Sequence, residues 1–185
     1  MSDTKHVLVP LAPGFEEIEA TTIIDILRRA GANVIVAGLN SKTVQGSHDI
    51  IISADALLEE IKNEEWDMIV LPGGVPGTPN LSNDQRVIQI LKSLFEKGKY
   101  TTAICAAPSV LEKAGLTKGK NITSAPGWAD QMTSAHHTGA RVEEDGLIIT
   151  SKSCGTAMEF AFRLVKVLFG EAVVEEVNAS VLAKL

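Results

Sequence analysis

No stretch of this sequence is long and apolar enough for a signal peptide or a membrane span, and the charged start Met1–His6 runs straight into a strand-like segment. A cytoplasmic chain with no membrane partner is expected. Basic charge is also short: 17 Lys and Arg face 23 Asp and Glu, a net charge of -6 with no basic tail. Phosphate neutralisation needs a basic face, so a nucleic-acid partner is excluded. Glycine-rich loops of the Rossmann or P-loop form are missing, and nucleotide cofactors lose their support. No linker, repeat or low-complexity tract interrupts the chain. Its 185 residues, 45% apolar, suffice for one domain over residues 1–185 with a continuous core and no structural metal or disulfide. Cysteine is scarce, at Cys105 and Cys154 only. In a reducing compartment these are free thiols.

What is there reads as βαβ grammar. His6–Leu11 predicts a strand, Glu16–Ala30 a helix, Asn33–Leu39 a strand, Ile50–Ser53 an edge segment, and a helix follows from Asp55. Arg28 and Arg29 fall in the last turn of the first helix with Gly31 just beyond, as a helix end requires. Asp67–Leu71 predicts a buried strand closing in Pro72-Gly73-Gly74, then a helix over Asp84–Lys97, a strand over Tyr100–Cys105 and a short helix over Ser109–Lys113. Asn121–Ser124 reads as a strand. Arg141–Thr150 reads as a hairpin about Asp145-Gly146, and helices over Thr156–Phe169 and Glu171–Leu185 close the chain. This alternation predicts an α/β fold, a mostly parallel doubly wound sheet with functional groups at the carboxyl ends of its strands. Three turns fall there: Pro13–Glu19, Pro72–Gly77 and Cys105–Pro108.

Cys105 stands between a buried strand and a helix, where helix N–H groups would favour a thiolate. The competing reading is a small buried core residue, although the alanines after it leave the room a nucleophile elbow needs. Glu16, Glu17 and Glu19 open the first helix, where acids commonly serve the dipole. Residues 16 and 19 share a face while 17 points elsewhere, so an acid can also turn inward. Beside a thiol, such a carboxyl would be held protonated by burial and could donate to sulfur or to a substrate oxygen. Gly73 and Gly74 either end a strand or present N–H groups to an oxyanion. His6, His48, His136 and His137 lack metal-ligand spacing, and no metal is expected.

The segments Leu8-Val9-Pro10-Leu11-Ala12-Pro13-Gly14-Phe15-Glu16-Glu17-Ile18-Glu19, Val70-Leu71-Pro72-Gly73-Gly74, Ala103-Ile104-Cys105-Ala106-Ala107-Pro108 and Ile149-Thr150-Ser151-Lys152-Ser153-Cys154-Gly155-Thr156 occur here in order. Together they resemble the ThiJ/PfpI superfamily, in its parkinsonism-associated deglycase branch, from about residue 5 to the C-terminus. The resemblance implies a flavodoxin-like three-layer sandwich, a homodimer, Cys105 as elbow nucleophile and Glu19 as the acid bonded to it. It also places the backbone N–H groups of Gly74 and Ala106 at an oxyanion site, and makes Gly73, Glu16, Arg29, His48, Ser153 and Cys154 pocket or redox candidates. Members are described as glutathione-independent glyoxalases, as deglycases and as peroxide-responsive chaperones.

The implied reaction converts methylglyoxal or glyoxal, or their early adducts with protein and other amines, to 2-hydroxy acids with no cofactor. The alternative is a redox chaperone in which Cys105 senses oxidation. A PfpI-like protease fits less well, because Ala106 stands where those members carry histidine after the nucleophile. Three departures from close relatives stand out. Ala125-Pro126 replaces a histidine before proline, removing an imidazole relay. His48 replaces an arginine near the dimer interface. Cys154 replaces a proline beside the pocket, raising a disulfide with Cys105.

Overall fold

The computed structural model describes residues 4–183; Met1, Ser2 and Asp3 of the charged start, and Lys184 and Leu185 of the expected last helix, lie outside the described residues. The first half runs β1 (His6–Leu11), α1 (Glu17–Arg29), β2 (Asn33–Gly38), β3 (Thr43–Gln45), β4 (Ile51–Ser53), β5 (Ala56–Leu57) and α2 (Leu58–Ile61). Then come β6 (Met68–Leu71), α3 (Gly77–Asn83), α4 (Gln85–Glu96), β7 (Tyr100–Ile104), α5 (Pro108–Lys113), β8 (Asn121–Ile122) and β9 (His136–His137). The chain closes with β10 (Val142–Asp145), β11 (Ile148–Ser151), α6 (Ala157–Phe169) and α7 (Glu171–Val181).

Seven strands form the central sheet in the order β10-β11-β7-β6-β1-β2-β5. All pairs are parallel except β10 with β11, the expected hairpin. Strand residues alternate between two cores, as a period of two demands. Val7, Val9, Met68 and Val70 face α1, α6 and α7 with Ile23, Leu27, Phe160 and Leu164. Leu8, Ile69 and Leu71 face the other helical layer with Leu81, Val87, Leu91 and Leu111. Burial on both faces is what a parallel sheet requires, and the result is the expected flavodoxin-like three-layer sandwich. Among the described residues no helix is long and apolar enough to cross a membrane.

Strand order reverses at β1, which has β2 on one side and β6 on the other. Ligands of open α/β sheets bind outside the carboxyl ends of strands at such a switch point. The segments after β1, β6 and β7 are the three turns singled out from the sequence.

Four elements differ from expectation. Ile51–Ser53 pairs with Thr43–Gln45 in a separate ribbon and does not form the sheet edge. That edge is β5, because the Asp55 carboxylate accepts from Val36 N–H at 2.8 Å and Arg28 at 2.7 Å and holds its segment along β2. The helix expected from Asp55 therefore shrinks to Leu58–Ile61. Helix α3 was hidden by its composition, since it opens with glycine and carries Pro79; in a first turn, however, the N–H that proline lacks has no intrahelical partner anyway. Finally, the Asn121–Ser124 strand is only Asn121–Ile122 and pairs with His136–His137 outside the main sheet.

Candidate active site

Cys105 follows β7 with φ at +65°, a left-handed conformation that costs a non-glycine residue about 1–3 kcal/mol. Hydrogen bonds on both sides of the residue hold it there. Its N–H donates to Ser151 O at 2.9 Å, and its carbonyl accepts from Ala125 N–H at 2.8 Å. The sharp turn between strand and helix carries a half-buried side chain, as in a nucleophile elbow.

Glu19 reaches the same place from the first turn of α1 and is fully buried. Its Oε2 accepts from Gly73 N–H at 2.9 Å, and its Oε1 accepts from the Cys154 thiol at 3.5 Å. The carboxyl is also hydrogen-bonded to the Cys105 thiol. Gly73 is the spacer: a Cβ there would stand 2.6 Å from Cys105 Cβ and 2.8 Å from Glu19 Oε2. Gly74, at φ +97°, wedges between the β1 and β6 turns, where a Cβ would meet Gly14 O and Glu16 N at 2.4 Å.

Burial, more than anything else, raises the Glu19 carboxyl to about 7; the Gly73 N–H and the two thiols pull the other way without matching it. Near neutrality the group is thus divided between acid and base. Burial also pushes the Cys105 thiol up to about 12, with the Glu19 charge adding to the rise and the Ala106 N–H and Ser153 side chain opposing it. The depressed thiol expected from the sequence is therefore corrected. Helix position was counted, but one N–H and one hydroxyl do not outweigh a buried sulfur next to a carboxylate. The two groups titrate as a unit. Above about pH 7 the pair carries one negative charge, and a thiolate forms when the thiol proton crosses to Glu19.

Of the sequence candidates, Cys105, Glu19, Gly73, Ala106, Ser153 and Cys154 meet at this point, with Gly74 bracing the turn beside it. Glu16 is buried alongside and raises the Cys154 thiol, whose rise to about 12 is led by burial and by the Glu19 charge. His48 is exposed, yet its Nδ1 lies 3.1 Å from Glu17 Oε2 and 3.6 Å from Glu16 Oε2. Arg29 is not part of the site: it sits at the far end of α1, exposed and paired with Asp25 at 2.7 Å.

Sequence spacing missed two things. Glu17 is buried and clamps the loop carrying His48, and the Ala125 N–H anchors the elbow. Neither leaves a local signal, because both partners are distant in the chain. Glu16, Glu17 and His48 also place ligand atoms within 4.8 Å of one another, a grouping that spacing could not reveal. The Glu17 oxygens accept from His48 N–H, Ile50 N–H and the Ser47 hydroxyl, with the His48 ring at 3.1 Å. Concavity alone would point elsewhere: a cavity of about 540 Å³ lined by His6, Trp66, Asp67 and Lys99 lies at the opposite, amino ends of the strands.

An α/β sandwich whose switch point joins a strained cysteine elbow to a buried protonatable carboxyl defines a cysteine-elbow protein of the flavodoxin-like class. Comparison with known sequences narrows this. The DJ-1/PfpI family matches residues 5–167, and the chain belongs to that family. Parkinson disease protein 7 homolog of Danio rerio is 40% identical over 185 residues, covering 97% of this chain and 98% of that protein. Protein DJ-1 homolog B of Arabidopsis thaliana is 43% identical over 169 residues, which are 90% of this chain but 39% of that protein. The chain thus spans about two fifths of the Arabidopsis relatives' length. A Caenorhabditis elegans relative named glutathione-independent glyoxalase DJR-1.2 is 34% identical over 176 residues, 92% of each chain. Among solved structures, Drosophila melanogaster DJ-1beta superposes with a TM-score of 0.93 at 40% identity, covering 97% of this chain and 98% of that one.

Proposed function

We propose that this protein is a cofactor-independent enzyme that converts methylglyoxal, glyoxal or their early adducts to 2-hydroxy acids through Cys105 and Glu19. The observation that carries the reading is one buried carboxyl, raised to about 7, bonded to both Gly73 N–H and the elbow cysteine. A general acid and base works best with its pKa near the operating pH. The Caenorhabditis elegans relative, named a glutathione-independent glyoxalase, supports the same reaction.

The Cys105 sulfur bonds to the aldehyde carbon while the thiol proton passes through Glu19 to the carbonyl oxygen, giving a hemithioacetal. Backbone N–H groups of Gly74 and Ala106 hold that oxygen as charge develops on it. Glu19 takes the proton from the sulfur-bearing carbon as the neighbouring carbonyl oxygen is protonated, giving an enediol. It then returns a proton to the neighbouring carbon while the hydroxyl on the sulfur-bearing carbon gives up its own, leaving a thioester of the 2-hydroxy acid. Water cleaves the thioester, releasing lactate or glycolate and restoring the thiol. Ala125 supplies no imidazole, so Glu19 carries each proton transfer in this chain.

A glutathione-free assay with methylglyoxal in Tris-free buffer tests the reading. Lactate forms with the wild type, and Cys105→Ala and Glu19→Ala each abolish it. kcat/KM rises as pH passes upward through about 7, where the pair loses its first proton. Lactate formation that survives either substitution sinks the proposal.

Two copies of the chain pair across this face in the same reading. Ile18, Ile50, Ile51 and Val75 flank the site and stand 56–60% exposed, an apolar surface suited to a partner. Analytical ultracentrifugation checks it, with a monomer at micromolar concentration as the contrary result. One observation favours the oxidation-sensing alternative: a second thiol, Cys154, shares the catalytic carboxyl.

A further inference from the structure

The second thiol is held in place by the turn that also supports the first. Ser151 ends β11 and accepts the Cys105 N–H; Ser153 lends its side chain to the Cys105 sulfur; Cys154 is the next residue. The turn is fastened by Thr156, whose N–H donates to Ser153 O at 2.8 Å and whose Oγ1 accepts from Ser153 N–H at 3.1 Å. Both cysteines are free and half-buried, within reach of a small oxidant. Each is bonded to the Glu19 carboxyl, and Cys154 to that of Glu16 as well. Gly155 has open space about it, so the turn can shift without collision.

We propose that Cys105 and Cys154 form a peroxide-responsive dithiol that closes into a reversible intramolecular disulfide. The inference does not depend on aldehyde turnover. In the first step the Cys105 sulfur attacks one oxygen of hydrogen peroxide. The O–O bond breaks, an S–OH bond forms, sulfur gives up two electrons, and the other oxygen leaves as water with the thiol proton. In the second step the Cys154 sulfur attacks the sulfenic sulfur, the S–S bond forms and hydroxide departs. Glu19 Oε1, already the acceptor for the Cys154 thiol at 3.5 Å, takes that thiol's proton and passes it to the hydroxide, so a second water leaves. Two thiols have been oxidised, one peroxide reduced, and a thiol reductant reverses the bridge by exchange.

The motion required is small. Cys154 Sγ leaves Glu19 Oε1 and turns toward the other sulfur bonded to that carboxyl; the bridge needs the two Cα atoms within roughly 7 Å. The alternative fate is overoxidation of Cys105 to sulfinate, which small thiols do not reverse. Cys154 competes with that fate by proximity.

Peptide mass spectrometry decides it. The full chain is treated with equimolar hydrogen peroxide, alkylated, and digested without reductant. The expected product is a cross-linked peptide pair holding Cys105 and Cys154, lost on adding dithiothreitol. In Cys154→Ser the same dose drives Cys105 to sulfinate at least about tenfold further, since the intramolecular competitor is gone. Sulfinate at Cys105 of the wild type with no cross-link overturns the proposal, as does a bridge found only between chains on a non-reducing gel. If Cys154→Ser proves misfolded by circular dichroism, the wild-type digest alone still gives one result or the other.

Discussion

Glu17 and Glu19 leave the same turn of one helix, both buried, and end in opposite states. Burial pulls Glu17 upward, but the N–H of His48 at 2.6 Å, its own N–H, the His48 ring and the N–H of Ile50 at 3.3 Å bring it down to about 2. Glu19 has one N–H and two thiols, the weaker class of donor, and rises to about 7. Deeper desolvation and weaker donors leave Glu19 able to carry protons, while several backbone N–H groups hold Glu17 as a fixed anion. The first fastens the residue 47–50 loop; the second faces the sulfur.

Glu19→Gln draws the sharpest line between the two regions. It removes the proton carrier while keeping the shape, and glutathione-free turnover falls about 10²–10⁴-fold, whereas Glu17→Gln changes it little. Equal losses in the two variants would erase the distinction. Stability against pH is the next largest effect. Folded Glu19 keeps its proton to about 7 against 4.5 in the unfolded chain, so it binds more protons when folded, and raising pH across that window lowers stability by about 3 kcal/mol. Denaturant melts at several pH values should show the fall in the wild type and a flatter profile in Glu19→Gln. Glu17 has the contrary sign: its contribution is complete above pH 4.5 and disappears as pH falls toward 2. Glu17→Gln strands some loop donors and costs about 1–3 kcal/mol at neutral pH, read by the same melts. The smallest effect belongs to His48, raised above the usual histidine value chiefly by its bond to Glu17. An NMR titration should place its midpoint high in the wild type and return it toward the ordinary value in Glu17→Gln.

Much of this was legible in the chain. Alternation of β-rich and amphipathic runs located β1, β2, β6, β7, the hairpin and the long helices, because burial on both sheet faces imposes that pattern. The small residues after Cys105 and the shared face of positions 16 and 19 pointed to the elbow and the inward acid. The rest depends on contacts between distant segments. The clamp of Glu17 on residues 47–50 uses backbone donors that carry no compositional mark. The thiol's upward shift needs knowledge of burial and of the neighbouring charge, while counting helix N–H groups alone gives the wrong direction. Arg29 fell away because ten residues of helix put about 15 Å between it and Glu19. Helix α3 hid behind a proline in its first turn.

Cys105 performs the proposed chemistry in a backbone conformation that only glycine adopts at ease. Heat resistance and reactivity are thereby set against each other at a single codon. A library of variants selected for thermal survival alone would drift toward glycine at position 105 and return hardier, inert proteins, so any effort to toughen this scaffold has to hold that position fixed and seek its gains elsewhere.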